Sequence, residues 1–158
     1  YPLDKVVEVD SYEVISYDYV NPTPWNTARE APEGKIKEEL ERIISKLDNP
    51  ERAILNVHAP PHGTRLDLAP ELDKNMKPVM NMGQPKFIHV GSKAVRDLIL
   101  KYRPALGLHG HIHESSAADK LGDTHIFNPG SEYEEGILRG YVVELSDKGV
   151  EKYWRVEG

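Results

Sequence analysis

The stretch Ala105-Leu106-Gly107-Leu108-His109-Gly110-His111-Ile112-His113-Glu114-Ser115 sets three imidazoles at alternate positions directly after a short apolar run. Leu106 and Leu108 flank Gly107 in what reads as a buried strand, and the chain turns polar at Gly110. Residues i and i+2 of an extended backbone share a face. His109, His111 and His113 therefore converge on one side if the strand continues, and fan out around a loop if it breaks at Gly110. Imidazole binds metals in its neutral form near neutral pH without first losing a proton. The stretch reads as a metal site at the carboxyl end of a strand.

Working upstream, Arg52 to Val57 is a continuous apolar run of strand length that delivers His58, followed by Ala59-Pro60-Pro61. A helix opens after Gly91, with Ser92 as N-cap and Val95, Leu98, Ile99 and Tyr102 on one face, and Pro104 stops it. Strand, loop, helix, strand is the order of a βαβ unit with a parallel pair. His58 and His111 then lie at the same sheet edge, outside the carboxyl ends of the strands where open α/β sheets bind ligands.

The flanks fill in the rest. Lys5–Val9 and Tyr12–Tyr19 predict two short strands joined at Asp10-Ser11. Pro22, Pro24 and Pro32, with Trp25 between them, predict a rigid loop over 21–32. Ile36, Leu40, Ile43, Ile44 and Leu47 form one stripe of an amphipathic helix. Leu66 to Phe87 has no clear period and reads as an excursion carrying Met76, Met80 and Met82. Thr124–Phe127 predicts a strand, and Ile137–Leu145 with Val150–Val156 a hairpin about Ser146-Asp147-Lys148-Gly149. No internal repeat interrupts this order.

At 158 residues, a single domain over 1–158 is expected. Apolar residues make up 39% and charged residues 29%, and no apolar run approaches the roughly 20 residues needed to span a bilayer. A formal charge of −6 with no basic stripe makes nucleic acid an improbable partner. There is no cysteine, which fits a cytoplasmic location and restricts any metal to nitrogen and oxygen ligands. Four histidines at 58, 109, 111 and 113 suit Zn, Mn, Fe, Co or Ni rather than Ca or Mg. Twenty-six acidic, twenty basic and twelve proline residues suit a thermophile.

With these residues in view, the sequence resembles the calcineurin-like metallophosphoesterases, in particular their small archaeal and bacterial members. The matching segments are Asn56-Val57-His58-Ala59-Pro60-Pro61-His62-Gly63-Thr64, Gly91-Ser92, Gly110-His111-Ile112-His113 and Asn128-Pro129-Gly130-Ser131, in that order. The resemblance covers roughly residues 10 to 145 and implies a two-metal hydrolase of phosphomonoesters or phosphodiesters. It assigns His58 and His111 to one divalent ion and His113 to the other, and it leaves His109 and His62 outside the ligand set. His62 and Asp67 are near enough in sequence to line a substrate mouth, and equally suit a surface loop.

The sequence also departs from that pattern. The Asp-x-His, Gly-Asp-x-x-Asp and Gly-Asn-His segments that supply the bridging Asp and the Asn ligand are absent upstream of His58. Together with Tyr1 as first residue, this predicts the carboxyl-terminal half of such an enzyme: half of a four-layer α/β/β/α sandwich, a mixed sheet with helices on one face. Alone, it is expected to bind metal weakly, to be inactive, and to pair with a missing amino-terminal half or with itself. Two other readings stand beside it. One is a non-catalytic remnant or binding module of the same fold; the other is a different metal hydrolase that uses the His-x-His-x-His run alone.

Overall fold

In the computed structural model, which describes residues 3–158, the alternation of apolar residues along the strands decides which layer lies where. β1 (Val7–Val9) and β2 (Tyr12–Tyr17) form the expected hairpin about Asp10, a residue in the left-handed region at φ 51°. The second strand ends at Tyr17 rather than Tyr19. The proline-rich loop follows. It is held by the Glu30 carboxylate, which accepts from the backbone N–H groups of Thr23 and Thr27 at 2.9 and 2.7 Å.

Helix α1 (Glu33–Ile44) begins after Pro32 and buries Ile36, Leu40, Ile43 and Ile44. Strand β3 (Ala53–Val57) comes next, and then the segment that begins at Leu66. Here the sequence showed no period, yet the structure contains four short strands. β4 (Leu68–Pro70) pairs with β7 (Phe87–His89), and β5 (Met80–Asn81) pairs with β6 (Gln84–Pro85). Two- and three-residue ladders are too short to leave an alternation that can be read from sequence.

Helix α2 (Lys93–Tyr102) has the expected Ser92 cap, whose hydroxyl accepts from the Val95 N–H at 3.2 Å. Its amino terminus is closed a second time by Glu33 of α1. That carboxylate accepts from the Lys93 and Ala94 N–H groups at 2.9 and 2.8 Å and from the Ser92 hydroxyl at 2.7 Å. A negative group on these unpaired donors also complements the helix dipole. Arg103, at φ 49°, ends the helix in the left-handed conformation, and Pro104 follows.

β8 (Leu106–Leu108) then runs parallel to β3, closing the predicted βαβ unit. β9 (Ala117–Leu121), a strand the sequence reading did not anticipate, pairs antiparallel with β10 (Thr124–Asn128). Its Ala-Ala-Asp-Lys-Leu sequence carries the polar residues of an edge strand, which hides the alternation. β11 (Arg139–Ser146) and β12 (Gly149–Glu157) form the expected carboxyl-terminal hairpin.

The main sheet has the order β1-β2-β3-β8-β10-β9, with a parallel centre and antiparallel edges. Ile15, Tyr17, Ala53, Leu55, Val57 and Ile126 face the two helices. Tyr12, Ile54, Leu106 and Phe127 face the other way, where Tyr141, Val143, Leu145 and Val150 of the hairpin region cover them. The chain is thus α/β, with a mixed sheet, helices on one face and a two-stranded hairpin on the other. Among the described residues, no helix is long and apolar enough to cross a membrane.

Candidate metal centre at the strand ends

β3 and β8 are neighbours in parallel register, so the residues that leave their carboxyl ends meet. The ladder carries on past both strands: the His58 N–H donates to the Tyr17 carbonyl at 2.9 Å, and the Gly110 N–H donates to the His58 carbonyl at 3.0 Å. The rings of His58 and His111 stand edge to face with centroids 5.4 Å apart. Two imidazoles sharing one ion tetrahedrally through nitrogens about 2.05 Å from it would place their centroids about 5.2 Å apart. The spacing therefore fits a shared ion.

Two backbone features deliver this arrangement. A side chain at Gly110 would put its Cβ 3.3 Å from the His58 ring, a tight approach that would press on that imidazole. His111 then sits at φ 67°, in the left-handed region, at a cost of about 1–2 kcal/mol for a residue with a Cβ. Histidine is among the side chains enriched there, and strain of this kind gathers at functional positions. Of the two arrangements left open by the sequence, the chain takes the second: the strand breaks after His109 and the imidazoles fan out.

His58 and His111 line a cleft of about 330 Å³ with Tyr17, Asp18, Arg29 and Asn56. His113 opens instead onto an adjoining acidic cleft with Glu114, Glu132, Tyr133 and Glu135, its ring 5.8 Å from that of Tyr133. The surrounding protein strips hydration from His58 and His111 and holds both below the usual imidazole range. Positive charge on His113 pushes both further down, while Asp18 pulls His58 back up. Both are thus biased toward the neutral form that binds metals. Among the described residues, no three His, Asp or Glu side chains close around one point as a complete cage.

His109 takes a different part. It is buried at the wall of the same cleft, and its Nδ1–H is shared between the carbonyls of Val57 and Ala59 at 2.9 and 3.0 Å. Burial pushes it down to about 4. Gly107 makes room for the ring, since a Cβ there would lie 2.7 Å from His109 Nε2. This imidazole ties the end of β8 to the chain leaving β3.

The Asn128-Pro129-Gly130 segment explains how the histidine loop is held. The buried Asn128 amide donates to the carbonyls of Ile112 at 2.9 Å and Leu66 at 3.2 Å, and its oxygen accepts from the Gly130 N–H at 2.9 Å. Gly130, at φ 71°, packs so closely that a Cβ would fall 2.7 Å from the His113 carbonyl. Sequence reading noted these residues only as part of a motif. Their role as a clamp on Ile112, between the two outward histidines, appears with the structure.

His62 and Asp67 do not line the His58–His111 cleft. The Asp67 carboxylate is wholly buried, which corrects its expected place at a substrate mouth. Oδ1 accepts from the Thr64 N–H at 2.9 Å and lies 2.8 Å from His89 Nδ1; Oδ2 accepts from the Gly63 and Gly91 N–H groups at 3.0 and 2.9 Å. An acceptor so fully engaged organises the turn after Pro61 and has no lone pair directed at solvent. His62 stands beside it, with Nδ1 3.7 Å from Oδ2. His89, just past the unpatterned segment and not singled out by the sequence, completes the group.

No family model matches the chain. It is 34% identical over 127 residues to the uncharacterised protein MJ1162 of Methanocaldococcus jannaschii, a match covering 79% of this chain and 51% of that protein. The crystal structure of TT1561 of Thermus thermophilus is similar at a TM-score of 0.52 and 18% identity, over 86% of this chain and 51% of the other. Another crystal structure is similar at a TM-score of 0.56 and 22% identity, over 86% of this chain and 47% of the other. These likenesses establish a shared fold. The chain spans about half the length of the curated relative it matches.

Proposed function

We propose that this chain supplies the histidine side of a two-metal phosphoesterase centre, with His58 and His111 directed to one divalent transition ion and His113 to a second. The observation that carries the reading is the 5.4 Å pairing of His58 and His111 across neighbouring parallel strand ends, presented by a strained backbone at His111. The imidazole nitrogens suit Mn, Fe, Zn, Ni or Co. Carboxylates that bridge and complete such a centre would come from outside the described residues, in keeping with a relative of which the match covers 51%. They would also bring the remaining sheet of a four-layer sandwich.

Bound ions of this kind supply Lewis acidity and activate water for attack on a phosphate ester. The chain's own residues contribute position and charge state. Burial biases His58 and His111 toward the neutral form, Asn128 fixes the loop between His111 and His113, and Arg29 places a cation at the cleft wall for an anionic ester. Arg29 is itself held by Asp18, at 2.5 Å.

The test is hydrolysis of bis-p-nitrophenyl phosphate with added Mn²⁺. This chain alone is expected to be inactive, and activity is expected once a segment bearing the Asp-x-His, Gly-Asp-x-x-Asp and Gly-Asn-His residues is supplied. His111→Ala should then abolish it. Full activity in the unaided chain would favour a His-x-His-x-His hydrolase. Metal binding with no activity in the complemented protein would favour a binding module, a reading that rests on the open ligand set among the described residues.

A further inference from the structure

The second histidine group lies outside the cleft just described and has its own logic. His62, on the turn after β3, and His89, at the end of β7, hold their rings edge to face with centroids 5.8 Å apart. Their Nδ1 atoms both face the Asp67 carboxylate, at 3.7 and 2.8 Å. Because Asp67 already accepts three backbone N–H groups, it acts here as an acceptor, so the His89 proton sits on Nδ1 and its Nε2 carries the free lone pair. The same orientation of His62 would leave its Nε2 free as well. Both rings reach solvent, with side chains 33% and 43% exposed.

We infer that His62 and His89 form a separate binding site for a divalent transition metal such as Zn²⁺, with Nε2 of each ring as ligand, water completing the shell, and Asp67 as the outer carboxylate. A metal-bound imidazole characteristically gives its other N–H to a carboxylate, which fixes the tautomer and raises the ring's basicity. Here one buried carboxylate takes that bond from His89 at 2.8 Å and lies 3.7 Å from His62 Nδ1. Two imidazoles on one ion place their centroids between about 5.2 Å at the tetrahedral angle and about 6.4 Å in line, and 5.8 Å falls within that interval. The carboxylate is rigid, since Gly91 lets the backbone close on it: a Cβ there would meet the Pro60 carbonyl at 2.5 Å and Asp67 Cβ at 2.8 Å. The site does not depend on the phosphoesterase reading.

The experiment is a Zn²⁺ titration of the unmodified chain, followed through the imidazole nitrogens in long-range ¹H–¹⁵N spectra. His62 and His89 Nε2 are expected to shift together and to saturate together. His89→Ala should remove this response, and the His58→Ala, His111→Ala double variant should keep it. Asp67→Asn should weaken the affinity about 10–100-fold. Unmoved His62 and His89 nitrogens in the unmodified chain at saturating Zn²⁺ would overturn the inference. So would an unchanged Zn²⁺ stoichiometry and affinity in a folded His89→Ala protein.

Discussion

The molecule holds two edge-to-face histidine pairs of nearly equal spacing, and they are supported in opposite ways. His58 and His111 leave the ends of core strands and meet across a cleft, where burial is the main influence biasing both to the neutral form. His62 and His89 ride on short strands and turns, yet both face a buried carboxylate held by three backbone donors. The first pair has a rigid frame and an incomplete ligand set among the described residues; the second carries its own outer carboxylate on a frame with little sheet beneath it. Position on a fold and completeness of a site are therefore separate properties, and here they fall to different pairs.

The two are mechanically joined. Asp67 lies between Leu66, whose carbonyl accepts from Asn128, and Leu68, whose N–H and carbonyl are both bonded to the Ser115 hydroxyl at 2.8 Å. Perturbing the carboxylate that serves one pair should thus be felt at the loop that carries the other.

The largest expected effect breaks that link. Asp67→Ala removes the buried acceptor of three backbone donors and of His89 and should cost about 3–5 kcal/mol in urea unfolding. A loss under about 1 kcal/mol would mean that the turn after Pro61 is held by something else. Next, His109 should give the stability curve a pH dependence. Its folded value of about 4 lies below the ordinary 6.5, so the unfolded chain takes up the proton first. Its contribution is complete above about pH 6.5 and is lost as the pH falls toward 4, about 3 kcal/mol in all. Comparing the wild type with His109→Gln across that window isolates it from the other histidines; matching slopes would contradict the assignment.

Asn128→Ala, which leaves the Ile112 and Leu66 carbonyls without their side-chain donor, should cost about 2–3 kcal/mol and loosen the first pair more than the second. Amide exchange at Ile112 and Gly130 against exchange at Gly63 and Gly91 would read the difference. Glu33→Ala removes the second of the two caps of α2, next to the second pair, and should cost about 1–2 kcal/mol by thermal unfolding. The smallest effect is electrostatic. Asp18 pulls the His58 value upward, so Asp18→Asn should lower it further in an NMR titration, and a rise would contradict the placement of that charge.

Much of this frame was legible in the sequence because it rests on long-period signals. The stripe from Ile36 to Leu47, the apolar run before His58 and the capped helix after Gly91 each repeat an environment over several residues. They fixed the parallel pair and hence the meeting of His58 with His111. The segment from Leu66 to Phe87 was not legible for the converse reason. Its ladders are two or three residues long, and the groups that order it, Asp67 above all, act through bonds to backbone that no side-chain pattern records. His89 was missed with it. Asp67 was noticed for its place in sequence and given the wrong surroundings, since a carboxylate near a histidine motif reads alike whether it faces water or three N–H groups.

The most direct test of the central assignment is a Mn²⁺ titration of the unmodified chain at neutral pH, read as paramagnetic broadening of individual histidine ring signals. Broadening of His58, His111 and His113, with His125 less affected, is the predicted result. If the rings of His58, His111 and His113 stay sharp while Mn²⁺ broadens signals elsewhere in the chain, the strand-end histidines are not the metal ligands proposed.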